Sequence, residues 1–450
     1  MWGEIEEGLR LNIGAVTVIG RGWLGSVFAV TDLAVASVGA AGAALATLVA
    51  AVAGGAVPEV RVDRALASHW FASSIRPVGW ELPSAWDSVA GDYRGADGWI
   101  RLHTNAQMHR AAALRVLGVE ADRTAVAASV SAWAVEDLEN AVVEAGGAAA
   151  VMRSLSEWSA HPQGRTVAGE PLLHHEATTQ SRSSWHPSGG GSRPLGGLRV
   201  LDMTRVLAGP VATRTLAGWG ADVLRIDPPG WEEPGLAPEV TVGKRCARLD
   251  LRQAVDRQRW WDLLDGADVL VHGYRPGALD GLGLGPGERD ERRPGLVEVS
   301  LDAYGWSGPW NRRRGFDSLV QMSSGIAHAG QAAAGTDRPV PLPVQALDQA
   351  TGYLMAGAVL TGLLQREQTG FGSRWRTSLA RTAKLLTDAG QRDPIGEPLE
   401  PGSPIPDEAI EQSPWGVAHR SPPPLVVAGA PLRWIFPARP LGYDVPVWPA

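Results

Sequence analysis

Cysteine is nearly absent: Cys246 is the only one in 450 residues. That excludes an internal disulfide framework and a cysteine zinc site. It fits a reducing compartment, so a cytoplasmic protein is expected. Positive charge is not in excess either. With 48 acidic and 41 basic residues the net charge is -7, which gives no global pull toward nucleic acid or an anionic membrane, and neither is expected as a partner. An anionic ligand would need a local basic cluster. There is no G-x-G-x-x-G, so a dinucleotide cofactor is not indicated. The triple glycine Gly189–Gly191 lacks a P-loop lysine and a helix start, and reads as flexible connection. No metal-ligand or triad spacing surrounds His103 or His109, so both read as solvated or capping residues and no metal is expected. The first ten residues, MWGEIEEGLR, are acidic and lack the basic start of a signal peptide.

What is present in quantity is small and aliphatic. Leu33 to Val57 carries no charge, yet its larger side chains, Val35, Val38, Leu45, Val49 and Val52, recur at three- and four-residue steps with Gly42 in the gap. That is the stripe of a buried helix packed on a close neighbour rather than a membrane span. The 19 tryptophans are scattered and form no motif. The stretch around which the chain is organised is VPLPVQALDQATGYLMAGAVLTGLLQREQTGFG, Val340 to Gly372. Two prolines hold its start extended, Asp348 sits where a helix should begin, and Gly370 and Gly372 lie past its end. A carboxylate there is favoured by the exposed amides, so Asp348 is expected to stay ionised. This suits a helix cap, and it equally suits a nucleophile.

The chain divides by pattern. Residues 1–58 are a helical segment, and 59–176 a small α/β domain in which GWIRLHTN is a strand and AQMHRAAALRVLG a helix stopped at Gly118. The Ser-, Gly- and Pro-rich stretch 177–197 is a linker. From 198 to 386, LRVLDM, GADVLRID, ARLDL, DVLVHGY and LVEVSL alternate with helical segments. This predicts an α/β fold with a Rossmann-like parallel sheet. Residues 387–450 are expected to pack back on that sheet. Ligands of open parallel sheets lie at the strand C-termini, where this sequence places cations: Arg205, Lys244, Arg245, Arg252, Arg275 and the run Arg312–Arg314. Spread cations suit spread phosphates.

The ordered blocks LDMTRVLAGP, GADVLRIDPPG, GKRCARLDL, VHGYRPGALDGLGLG and GFDSLVQMSSG, then an aspartate before an apolar helix closed by REQTGFG, resemble the class III CoA-transferase (CaiB/BaiF) family. The resemblance spans roughly Leu195 to Leu386. It implies a Rossmann-like domain that binds coenzyme A as acyl-CoA, an aspartate that takes the acyl group as a mixed anhydride, a carboxylic acid as second substrate, and two interlocked chains in a homodimer. By this resemblance Asp348 is the catalytic aspartate. Arg205, Val206 and Ala208 lie along CoA, Leu249 and Arg252 hold its nucleotide, Gly273, Tyr274 and Arg275 form a further CoA-contacting turn, and Arg314 is a phosphate contact. The family's small domain normally follows the large one; here Gly98 to Gly164 resembles it and precedes. No glycine-rich shielding loop follows Leu386. PLRWIFPARPLGYDVP resembles the family's closing segment.

In the racemases of the family a histidine falls at the position of Phe316, which cannot move a proton. CoA transfer between a thioester and a free acid is therefore the expected activity, ahead of a 2-methylacyl-CoA racemase or a CoA-binding protein without turnover. Asp32 also precedes an apolar Ala-Gly helix, stopped at Gly54 and followed by VRVDRALA, as Asp348 is followed by its helix and WRTSLART. The two segments read as an internal repeat in which Asp32 is a retained helix cap.

Overall fold

The computed structural model describes every residue except 15, 182–184, 189–191, 391–395, 401, 402, 404 and 450. Among the described residues sixteen strands form four sheets. In chain order they are β1 (Val16–Ile19), β2 (Val60–Asp63), β3 (Ile75–Pro77), β4 (Gly91–Arg94), β5 (Trp99–Leu102), β6 (Ala149–Val151), β7 (His174–Gln180), β8 (Arg199–Met203), β9 (Asp222–Asp227), β10 (Arg245–Arg248), β11 (Val269–His272), β12 (Val297–Asp302), β13 (Phe371–Ser378), β14 (Ala409–Ser413), β15 (Gly416–Arg420) and β16 (Leu425–Val427).

The largest sheet has the order β10-β9-β8-β11-β12-β13-β7, parallel throughout except for β7 at its edge. Runs such as Val200–Met203 and Val269–Val271 are buried without alternation, as strands covered on both faces must be. The strand sequence reverses direction between β8 and β11. That reversal opens a crevice at the strand C-termini, into which the loops after β8 and β11 project. The fold is thus α/β with a large, mostly parallel sheet, as the alternation of β and α segments predicts.

The Ala346–Thr369 helix is buried from Ala346 to Leu364 and lies between the Val30–Ala53 and Ala208–Gly218 helices. A helix apolar all round has to be central. Its glycines permit the approach. A Cβ at Gly352 would stand 2.4 Å from the carbonyl oxygen of Ala208, so the loop after β8 can press on the helix one turn beyond Asp348 only because no side chain intervenes. The Val30–Ala53 helix is long and apolar enough to cross a membrane, but 78% of its most apolar window is buried inside this fold.

The antiparallel sheet β4-β5-β6 carries the helices Gln107–Leu117, Arg123–Val130 and Val135–Glu144. Ile100, Leu102, Val126 and Leu138 form its own core. Gly118, in the left-handed region at φ 67°, ends the first helix, as its sequence position indicates.

Three boundaries differ from the sequence reading. Residues 177–180, read as the start of a linker, belong to β7, which pairs with the edge of β13. The triple glycine of that linker lies outside the described residues. Residues 60–63, read as part of the small domain, form β2 in the sheet β1-β2-β16. The C-terminal segment packs on the large sheet only in part. Asp444 accepts from the Cys246 amide at 2.9 Å and Trp448 Nε1 donates to the Leu263 carbonyl at 2.8 Å. Strands β15 and β16 instead pair with the open edges of β3 and β2, with β14 added beyond β15, and so cover edges that would otherwise present unpaired backbone groups.

Candidate active site

Asp348 is the third residue of its helix, which begins at Ala346 with Gln345 as an N-cap that makes no side-chain bond. It is therefore not the cap. That role falls to Asp317, the first residue of the Asp317–Ser323 helix, whose carboxylate accepts from the Asp348 amide at 2.9 Å. Gln321, one turn on, donates to Asp317 and accepts from the Leu342 amide at 2.7 Å. This latch sets the angle at which the Pro-rich entry segment meets the helix. Sequence reasoning missed Asp317, although it stands beside Phe316 in GFDSLVQMSSG.

The two carboxyls are buried together. Burial, opposed by bonds from Gln321 and the Asp348 and Leu347 amides, raises Asp317 to about 6. Burial and then the charge of Asp317 push Asp348 well above the ordinary carboxylate range, against a bond from the Ala208 amide. Both effects work against the ionised Asp348 that its place at a helix N-terminus favours. The favourable field of a helix N-terminus is worth at most about 2 kcal/mol, less than desolvation combined with a second carboxylate.

The Ala208 amide that faces Asp348 opens the Ala208–Gly218 helix, at the end of the loop after β8. There Val206 adopts φ +66°, a conformation that a β-branched residue rarely takes. Its amide donates to Glu233 at 2.7 Å. Glu233 also accepts from Arg225 at 2.7 Å and from Trp231 Nε1 at 2.8 Å. Asp202, at the end of β8, accepts from Lys244 at 3.0 Å and from Thr204. Lys244 is fully buried in this network, so it braces the loop and is not open to a ligand, contrary to its reading as a strand-end cation. Arg313 is likewise committed, to Glu139 at 2.9 Å and to the face of Trp310 at 3.8 Å.

Arg205 donates to the Tyr274 hydroxyl at 2.9 Å and lies over the rings of Trp231 and Tyr274. Arg275 follows directly and donates to the Arg312 carbonyl at 2.9 Å; burial and then Arg314 lower its pKa. Among the described residues neither Arg275 nor Arg314 has a carboxylate partner, which leaves a cationic pair beside the loop after β11. Gly273 opens that loop with only Leu301 near the place a Cβ would occupy. Leu249 is buried in the core beneath the sheet's far side. Arg252 is not brought to the others: its side chain is 77% exposed and bonds to Asp250 at 2.8 Å.

The small domain reaches this site. The His103 ring stacks on Phe316 with centroids 3.7 Å apart, and His109 meets the same ring edge-on at 5.7 Å. Both histidines are buried, neither solvated nor capping. Burial, then Arg101, holds His103 down at about 3; burial, then Arg314 and Arg275, holds His109 at about 4. Both are neutral at physiological pH, and among the described residues the Nδ1 atom of each lacks a partner. No spacing rule could have flagged them, because their neighbours come from another part of the chain.

With this geometry in hand the comparisons are specific. Residues 195–397 match the family described as CoA-transferase family III. That stretch of the chain is similar to this family. A probable fatty acyl-CoA transferase of Mycobacterium tuberculosis is 36% identical over 198 residues, covering 41% of this chain and 50% of the relative. The mouse succinyl-CoA:glutarate CoA-transferase is 32% identical over 243 residues, covering 51% and 52%. A crystal structure of a CaiB/BaiF family protein from Brucella suis covers 50% of this chain and 65% of its own at 25% identity, with a TM-score of 0.39. The chain spans about half the length of the curated relatives it matches. Within the matched residues 195–397 lie Asp317, Asp348, the loops after β8 and β11, and the Arg275–Arg314 pair; His103 and His109 lie outside them.

Proposed function

We propose that this protein moves CoA between an acyl-CoA thioester and a free carboxylic acid, with Asp348 as the nucleophile. The observation that carries the reading is the placement of Asp348: buried, in the first turn of a central helix that packs closely on Ala208, the residue ending the loop at the sheet's topological reversal. A thioester brought there by CoA lying along Arg205, Val206 and Ala208, with its phosphates toward Arg275 and Arg314, would present its carbonyl to that carboxyl.

The chemistry balances without a metal or an external proton donor once Asp348 has lost its proton. Its oxygen bonds to the acyl carbon as the carbon–sulfur bond breaks, giving a mixed anhydride and CoA thiolate. The thiolate attacks the aspartyl carbonyl and releases the donor acid as a carboxylate. The acceptor carboxylate displaces the thiolate from the aspartyl thioester, forming a second anhydride. Attack of the thiolate on the acceptor's carbonyl then yields the new thioester and restores Asp348. The Ala208 amide is placed to stabilise oxyanions of these steps, and one such donor is typically worth about 3 kcal/mol. Phe316 carries no titratable group, which favours transfer over proton exchange at an α-carbon. Exchange of labelled CoA into a thioester panel, with free carboxylic acids as acceptors and hydroxylamine trapping of the acyl-enzyme, tests the reading. Exchange in wild type and none in Asp348→Ala is the expected pair of results; undiminished exchange in the variant refutes it.

A further inference from the structure

Two stretches of the chain repeat one order of parts. The first is β1, the Val30–Ala53 helix, β2 and the Arg64–Ala72 helix; the second is β12, the Ala346–Thr369 helix, β13 and the Leu379–Asp388 helix, with the Asp317–Ser323 and Ile326–Ala334 helices inserted after β12. Both long helices have 24 residues. Each is entered through a residue of one uncommon conformation, φ −75° and ψ 57° at Ala29, φ −76° and ψ 66° at Gln345. Each has aspartate third, Asp32 and Asp348, and each ends on a left-handed glycine, Gly54 and Gly370. Each following strand runs into a helix capped by its own last residue: Asp63 accepts from the Leu66 amide, and Ser378 from the Arg381 amide.

The likeness extends to pairing that sequence does not show. β1 lies parallel to β2 as β12 lies parallel to β13. The free edge of β2 takes an antiparallel strand, β16, from downstream of the second unit. The free edge of β13 takes an antiparallel strand, β7, from downstream of the first. The units have exchanged their closing strands. Their long helices pack on one another, and they do so at matching positions. Ala41 and Gly357 are each twelfth in their helices, and a Cβ on Gly357 would stand 3.9 Å from Ala41 Cα. Contact of a position with its own equivalent is the signature of a twofold axis.

We propose that the N-terminal unit occupies the place of a second subunit, so that one chain is a pseudo-dimer with one working site. The copies are not equal at the aspartate. Arg64 donates to Asp32 at 2.6 Å and to the Gly22 carbonyl at 3.2 Å. Arg64 opens its helix, and the residue in that place in the second unit is Leu379. Asp348 faces a carboxylate and an amide where Asp32 faces a guanidinium. Residues 20–29, which join β1 to its helix in this chain, hold no counterpart of Asp317. The surviving site is closed from within, because His103 and His109, which follow the first unit in sequence, cover Phe316 of the second. A further copy of the chain has no place to fill there, in contrast to the homodimer that the family resemblance implies.

The test is the mass of the intact protein by light scattering across a roughly hundredfold dilution series. The mass of one chain throughout is expected, and the mass of two chains overturns the proposal. The second measurement is hydroxylamine trapping after incubation with acyl-CoA, read by peptide mapping. Label on the Asp348 peptide alone, at no more than one per chain, is expected; label on the Asp32 peptide overturns the single-site assignment. A one-chain mass with no label anywhere would sink the transfer reading and leave the pseudo-dimer standing.

Discussion

Replacing Asp317 by asparagine should stabilise the protein at about pH 8 and leave it no more stable at about pH 4. Asp317 is buried and raised from 3.8 to about 6. A raised carboxyl disfavours folding once it ionises. The penalty is fully present above the folded value near 6 and disappears below the unfolded value near 3.8. About two units at about 1.36 kcal/mol each come to about 3 kcal/mol. Asparagine keeps one acceptor oxygen, so it can hold the Asp348 amide that now lies 2.9 Å from Asp317. It weakens the bonds from Gln321 and Leu347, at about 1 kcal/mol. The difference leaves a net gain of about 1–2 kcal/mol at the higher pH and a small loss at the lower. The same substitution removes the negative charge that helps raise Asp348, so the acidic limb of CoA exchange should move to lower pH. Urea denaturation at both pH values and a pH–rate profile check both statements. Equal destabilisation at the two pH values would show that ionised Asp317 is not penalised, and an unmoved limb would show that Asp348 is not the group being titrated.

Asp348→Ala should abolish exchange while shifting thermal unfolding by only a few degrees, since it removes a buried carboxyl at the cost of one unpaired Ala208 amide, about 1–3 kcal/mol. Asp32→Ala should leave exchange within a few-fold but lower stability by about 1–3 kcal/mol, because Arg64 loses its partner in a largely buried pair. Arg275→Glu combined with Arg314→Glu should weaken CoA binding at least about tenfold by calorimetry, or about 1.4 kcal/mol, and unchanged affinity would remove that pair from the site. Lys244→Met should cost about 3–5 kcal/mol in denaturant unfolding by leaving the buried Asp202 charged without its ion-pair partner; a neutral result would mean that the network under the loop after β8 is not what holds it.

The sequence by itself determined the parallel-sheet frame, the central position of the Ala346–Thr369 helix and the identity of Asp348 as the residue to watch. These follow from local pattern: apolar runs, the spacing of small residues, and glycine at helix ends. The internal repeat was legible for the same reason, since Asp32 and Asp348 stand at one place in two similar stretches. What the tertiary structure alone decided is the surroundings of that aspartate, which work against its charge. Asp317 and the Ala208 amide approach it from separate elements, and desolvation belongs to the assembled interior rather than to any residue. Lys244 and Arg252 show the same limit from the other side. Both are cations at strand ends by sequence, yet one is sealed in a buried pair and the other bonds at the surface, because neighbours distant in sequence fix how deep a side chain lies. The exchange of β7 and β16 between the two units likewise depends on which edges remain open after folding, and an open edge is a property of a sheet, not of a strand's sequence.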